Sequence, residues 1–283
     1  MKEIIIFCDT CAGVNKEEEL KYNIKIIPTL FYIDNKEYNP INCSLTHEKL
    51  YQILEGKSTC KTSCINPNTF IDSFRPYLKE GKSILYISIS SGLSGNYQSA
   101  KLAKDILEDE YPNSIELIDS LSGSLGIKYT IFEAIKLINE GEELTAIKEK
   151  LDKNKLNVNA SFTIGSLDHL RRGGRLSGFS AVVGSILRIN PIIKASKQGK
   201  LEVTSKHRGR LKALSSLIDD IKKEASTSTL YIGYTNNLDE ALKLKETILT
   251  ETEIQDVEMD YIDYTLSCHC GPKTIAVFYK RKS

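Results

Sequence analysis

At 283 residues, with 41% apolar and 27% charged content, the chain is long enough for two hydrophobic cores and too apolar to read as disordered. The formal charges nearly cancel, at +1, which excludes a global field that recruits nucleic acid or an anionic membrane. The N-terminus enters a strand too short for a signal-peptide core and no run long enough to span a bilayer occurs, so a cytoplasmic protein is expected.

Ile4 to Cys8 is an unbroken apolar run, as expected of a parallel strand covered on both faces. It ends in Asp9-Thr10, a polar pair at the carboxyl end of a strand, where open α/β sheets bind ligands. A helix is predicted over 14–21, then strands over 24–27 and 30–33 with a turn at Asp34-Asn35, then a helix over 46–54. Gly56-Lys57-Ser58-Thr59 resembles the tail of a phosphate-binding loop. Tyr51 stands where that motif needs glycine and a helix precedes it, so the reading is excluded and no other ATP cradle is visible.

Thr59-Cys60-Lys61-Thr62-Ser63-Cys64 is a hydroxyl- and thiol-rich cluster leading into a helix predicted from Pro67 to Lys79. A strand over 83–89 then joins a helix over 97–107 through Ser90-Ser91-Gly92-Leu93-Ser94-Gly95. Two glycines and the unpaired N–H groups of a helix start make this turn a site for a small anion; a plain serine cap would explain the same residues. A second hydroxyl cluster, at Thr62-Ser63, points to a ligand shared by both. A strand over 115–119, the Ser120–Ser124 turn, a helix to Asn139 and another over 144–155 continue an alternation that predicts a doubly wound domain.

Near residue 158 the pattern changes. A strand over 160–164 leads to a polar segment holding Asp168, His169, Arg171, Arg172 and Arg175, and then an apolar helical run over 179–187. Strands over 190–195 and 201–205 flank a hairpin at Gln198-Gly199. Helices over 211–225 and 238–249 flank a strand over 230–234, and strands over 256–262 and 274–278 finish the chain. The expected architecture is an N-terminal, mostly parallel α/β domain over 1–158 and a C-terminal α+β domain over 159–283.

Cys8 and Cys11, Cys60 and Cys64, and Cys268 and Cys270 are close in sequence, with Cys43 alone. These spacings match no standard zinc module, and reduced thiols are expected; a metal or redox site beside the hydroxyl clusters is the alternative. The basic clusters at Arg171, Arg172 and Arg175 and at His207 to Arg210 lack interleaved aromatics for stacking bases and read as solvated or partner-docking faces. His169 reads as a helix-surface or interdomain residue. Asp9 and Asp119 are strand-end carboxylates, too common in such folds to imply an acid–base pair.

Taken in order, Asp9-Thr10, Thr62-Ser63, the run from Ser91 to Ala100, Gly173-Gly174-Arg175, the run from Gly184 to Ile193 and His269-Cys270-Gly271-Pro272 make the chain resemble the DegV family of bacterial fatty-acid-binding proteins. That family includes the carrier subunits of fatty acid kinase. The resemblance implies a two-domain DegV-like fold with one long-chain fatty acid between the domains. It implies a carboxylate site at Thr62, Ser94 and His269, with support from Asp9, Thr10, Ser63, Ser91, Gly95 and Arg175, and a tail tunnel spread over residues such as Leu170, Val182, Ile186 and Leu187. It further implies a carrier with no catalytic residue, metal, cofactor or ATP site of its own. Such a carrier presents its lipid to a separate kinase catalytic subunit for acyl phosphate formation, with transient membrane contact and no nucleic acid partner. The family usually has Asp-Ser where this chain has Asp9-Thr10, and fewer cysteines around the histidine. A metal- or thiol-dependent regulator that binds a small anion is the alternative.

Overall fold

The computed structural model describes residues 2–56, 58–176 and 189–282. The apolar helical run expected over 179–187 lies outside them, as do the expected tunnel residues Val182, Ile186 and Leu187. The first part of the chain forms β1 (Ile4–Asp9), α1 (Lys16–Lys21), β2 (Lys25–Ile27), β3 (Phe31–Ile33), β4 (Lys36–Tyr38), α2 (His47–Glu55), β5 (Cys60–Thr62) and α3 (Pro67–Lys79). Next come β6 (Ser83–Ser88), α4 (Asn96–Leu107), β7 (Ile115–Asp119), α5 (Leu125–Asn139) and α6 (Leu144–Asn154). The rest forms β8 (Val158–Thr163), α7 (Asp168–Arg172), β9 (Ile189–Ala195), β10 (Leu201–Arg208), α8 (Arg210–Glu224), β11 (Thr229–Tyr234), α9 (Leu238–Glu251), β12 (Asp256–Tyr261), α10 (Tyr264–Cys270) and β13 (Ile275–Lys280).

β2, β1, β6 and β7 lie side by side in that order, all parallel. Successive side chains of a strand point to opposite faces. Accordingly Ile5 and Phe7 pack with Phe70 and Phe74 of α3 and Ala100 and Ala103 of α4, while Ile6 and Cys8 pack with Ile127 and Ile131 of α5 and Ile147 and Leu151 of α6. Each fully buried large side chain contributes roughly 1.5–3 kcal/mol. That two-sided burial is the reason the run from Ile4 to Cys8 carries no alternation.

The second sheet has the order β10-β9-β8-β13-β11-β12, antiparallel except for the β11–β12 pair. One face packs under α8 and α9, where Leu217, Ile221, Leu244 and Ile248 meet Ile232 and Val277. The other turns Ala160, Tyr231, Ala276 and Phe278 toward Leu125 of α5. α5 therefore lies between the two large sheets. Its Lys128 has a side chain only 3% exposed and is paired with Glu18 at 3.0 Å and Asp260 at 3.6 Å, as a buried ammonium requires.

A small third sheet, β4-β3-β5, is antiparallel and inserted between β2 and α3. Asp34 and Asn35 turn its hairpin with φ of 47° and 68°, a pair of left-handed residues suited to a two-residue loop. The turn was legible in the sequence; β4 and β5 were not, each being three residues long and stabilised by pairing with β3. The core of this lobe, Phe31, Leu50, Tyr51 and Leu54, is completed by Cys268 of α10. Cys268 is bonded there to Cys60, a disulfide across a sequence separation of 208 with Cα atoms 5.4 Å apart. This corrects the expectation of reduced thiols at these two positions. The fold brings together two cysteines far apart in sequence, one on β5 and one on α10. Among the described residues no helix is long and apolar enough to cross a membrane.

Candidate functional site

In the parallel sheet the chain passes from β1 to β2 on one side and later returns to add β6 on the other, so the carboxyl ends of β1 and β6 flank a switch point. Asp9 sits there, completely buried. Its carboxylate accepts from the backbone N–H of Cys11 at 3.1 Å and of Ile89 at 3.1 Å, from the Tyr86 hydroxyl at 3.0 Å and from Asn96 Nδ2 at 3.4 Å. Burial raises the Asp9 pKa, and these donors pull it back. Asn96, the first residue of α4, in turn accepts from the backbone N–H of Ile65 at 3.0 Å. One carboxylate and one amide thus tie three chain segments together behind the site.

In front of this framework lies a cavity with about 140 Å³ open to the centre of a water molecule. One water needs about 10–15 Å³ by the same measure, so the space is that of roughly ten such units. Thr62 and Ser63 at the end of β5, Ser94 and Gly95 at the start of α4, Arg175 beyond α7 and His269 of α10 all line it. Thr62 Oγ1 and His269 Nε2 are hydrogen-bonded at 2.8 Å. Arg175 donates through Nε to the Leu93 carbonyl at 3.3 Å and through Nη1 to the Gly173 carbonyl. Gly173 lies against the His269 ring, where a Cβ would come within 2.3 Å of Nδ1. These contacts link the polar groups into one cluster.

Burial, followed by the charges of Arg175 and His169, pushes the His269 pKa down to about 4, so its imidazole is neutral at neutral pH. Its Nδ1 is buried without a hydrogen-bond partner among the described residues. Ser94 Oγ accepts from the backbone N–H of Asn96 at 3.3 Å, leaving its own proton free to donate. Gly95 is required by close approach, since a Cβ there would lie 2.8 Å from Cys64 Sγ. The remaining wall is mostly apolar and includes Ile89, Leu93, Ala160, Phe162, Leu170, Leu201 and Phe278.

Three residues singled out in the sequence lie off this wall. Asp9 faces inward as described, Thr10 uses its Oγ1 to accept from the Thr29 N–H at 3.0 Å, and Ser91 is exposed, its N–H donating to Asp119 at 3.0 Å. Ser90 is structural too: its hydroxyl donates to the Gly199 carbonyl at 2.7 Å, and Gly92 has no room for a Cβ against the same hairpin. His169 of α7 is half-buried beside Gly271. The sequence reading missed Ser122, Ser124 and Thr274 on the wall, and the framework role of Asn96; Cys11 and Cys270, also on the wall, stood there as candidates for a metal or redox site. It also missed α10, whose only local signals are the capping Asp263 and the terminating Gly271.

Asp263 caps α10 by accepting from the Leu266 N–H at 3.1 Å, while its Oδ2 is buried without a partner among the described residues. Burial pushes its pKa up to about 7 against an unfolded value of 3.8. The folded state therefore binds the proton more tightly, and stability from this group is fully present below the unfolded value and lost as pH rises toward 7. Asn caps a helix as well as Asp. Asp263→Asn is thus expected to match the wild type in acid and to exceed it by about 2–4 kcal/mol above pH 8. Urea denaturation of both proteins across pH 5–8.5 checks this; a difference that does not grow with pH would sink it.

A model of the family described as "Uncharacterised protein, DegV family" matches residues 3–282. The DegV domain-containing protein CPE0026 of Clostridium perfringens is 33% identical over 284 residues, covering 99% of this chain and 98% of the relative. Among solved structures, the fatty-acid-binding DegV family protein SAG1342 of Streptococcus agalactiae superposes with a TM-score of 0.88 at 24% identity, covering 100% of both chains. The Fatty Acid Kinase (Fak) B3 protein of Streptococcus pneumoniae, solved loaded with linoleic acid, superposes with a TM-score of 0.84 at 22% identity, covering 99% of this chain and 100% of that one. Together with the two-sheet architecture and a match along nearly the whole sequence, these likenesses establish that the chain belongs to the DegV family.

Proposed function

We propose that this protein is a fatty acid carrier: it holds one long-chain fatty acid between residues 1–158 and 159–283 and presents the carboxylate to a separate kinase subunit. The observation that carries this reading is the division of a single cavity into a hydroxyl–imidazole cluster, Thr62, Ser94 and His269, and a predominantly apolar remainder. The solved relatives, one described as fatty acid binding and one loaded with linoleic acid, support it by analogy.

The chemistry follows from the neutral groups. A carboxylate favours the tautomer in which His269 Nε2 carries the proton and donates to Thr62 Oγ1, freeing the Thr62 hydroxyl to donate to the ligand. Ser94 donates beside it, and Arg175 adds positive charge to the cluster. Neutral donors hold an anion without a fixed ion pair, which leaves one oxygen nucleophilic for phosphoryl transfer by the partner. The tail supplies the affinity: about 15 methylenes at about 0.8 kcal/mol each give roughly 12 kcal/mol, less the cost of association. In this reading the chain has no ATP site of its own, acts in the cytoplasm and meets membranes only to exchange lipid.

Native mass spectrometry of the purified protein, followed by denaturation and identification of what is released, tests the reading. One fatty acid per chain is expected. A protein that is empty and takes up neither added oleate nor palmitate would refute it.

A further inference from the structure

The Cys60–Cys268 disulfide joins the two elements that carry the head-group contact. Thr62 follows Cys60 by two residues on β5, and His269 follows Cys268 directly on α10, so the 2.8 Å Thr62–His269 hydrogen bond lies beside the covalent tie. β5 is the edge of its sheet and pairs with β3 over only three residues. So short an edge strand has little pairing of its own, and the position of Thr62 depends on what α10 holds. Cys60 is partly exposed whereas Cys268 is 3% exposed, so an attacking thiolate enters at the Cys60 sulfur. Two other thiols on the cavity wall are poor competitors, since burial raises the pKa of Cys11 well above its usual value and that of Cys270 to about 12, which keeps both protonated; Cys64, on the same wall, is an exposed free thiol.

We propose that the Cys60–Cys268 pair is a redox-modification site that sets how long the cavity retains its fatty acid. The disulfide locks Thr62 against His269 and holds the carboxylate; reduction frees β5 and releases the lipid. The reductant is a dithiol. Its first thiolate attacks the Cys60 sulfur, the bond to Cys268 breaks, and Cys268 leaves as a thiolate that takes up a proton. The second thiol of the reductant then displaces Cys60 as a thiol and leaves the reductant as a disulfide, a net transfer of two electrons and two protons. A low-molecular-weight disulfide such as oxidised glutathione runs the sequence in reverse. The inference rests on the lipid reading above.

The test follows transfer of labelled palmitate from the full-length protein to phosphatidylcholine vesicles, before and after dithiothreitol, with the oxidised state scored by protection of Cys60 and Cys268 from alkylation after denaturation, which exposes both. Release at least 10-fold faster after reduction is expected. Cys60→Ser is expected to release fast in both conditions, and Cys43→Ser to keep the full response. The two states of the wild type decide the matter even if Cys60→Ser fails to fold. Equal release rates in the two states overturn the switch and leave lipid binding standing, as does alkylation of both cysteines after treatment with oxidised glutathione. Palmitate binding in neither state overturns the lipid reading and the switch with it.

Discussion

Replacing Thr62 and Ser94 together by alanine is expected to weaken fatty acid binding by about 100- to 10,000-fold. Each hydroxyl supplies a hydrogen bond to a charged acceptor, worth roughly 1.5–3 kcal/mol, and every 1.4 kcal/mol is about tenfold in affinity. Neither substitution removes a buried framework bond: Thr62 bonds to His269 at the cavity wall, and Ser94 accepts one N–H at the start of α4. Secondary structure should therefore be kept, which circular dichroism will verify alongside titration with palmitate. Thr62→Ser, which retains the hydroxyl, is expected to bind within a few-fold of the wild type. Undiminished binding by the double alanine variant would move the carboxylate elsewhere in the cavity.

The second large effect is expected behind the cavity. Asp9→Ala strips four donors of their common acceptor: the Cys11 and Ile89 amides, the Tyr86 hydroxyl and the Asn96 side chain. A buried donor left without a partner costs about 1–3 kcal/mol, and partial relaxation brings the total to about 3–6 kcal/mol. Urea denaturation followed by far-ultraviolet circular dichroism measures it. Asp9→Asn keeps one accepting oxygen and should lose less. Binding is expected to fall with stability, since Asn96 fixes the start of the helix that follows Ser94 and Gly95. A stable Asp9→Ala protein that had lost only its affinity would instead make Asp9 a ligand contact.

What the sequence made legible is what local chemistry dictates. The apolar run from Ile4 to Cys8 announced a strand covered on both sides, and the helix expected from Pro67 to Lys79 is α3. Thr62, Ser94 and His269, with Arg175 in support, were picked out by the resemblance to the DegV family rather than by local chemistry, and the fold brings them to one cavity. The same reasoning placed Asp9 among possible ligand contacts because a strand-end carboxylate is indistinguishable, in sequence, from a buried hub. β5 and α10 escaped it because three and seven residues carry too little periodicity to register. Their conformations are set by partners far along the chain: β3 pairs with β5, and α10 packs on β5. The Cys60–Cys268 bond escaped for the same reason.

The place of β13 in its sheet bears on how the protein is made. It follows the other strands of its sheet in chain order, yet it lies between β8 and β11 and, among the described residues, is the strand that pairs β10-β9-β8 with β11-β12. Until β13 is made, the inner edges of those two half-sheets, at β8 and β11, are left unpaired. α10, with His269, emerges immediately before the strand that unites them. The cavity lined by His269 is therefore among the later features to form. The unpaired edges make the nascent chain a natural client of chaperones, with a slow final step governed by contacts between distant parts of the chain.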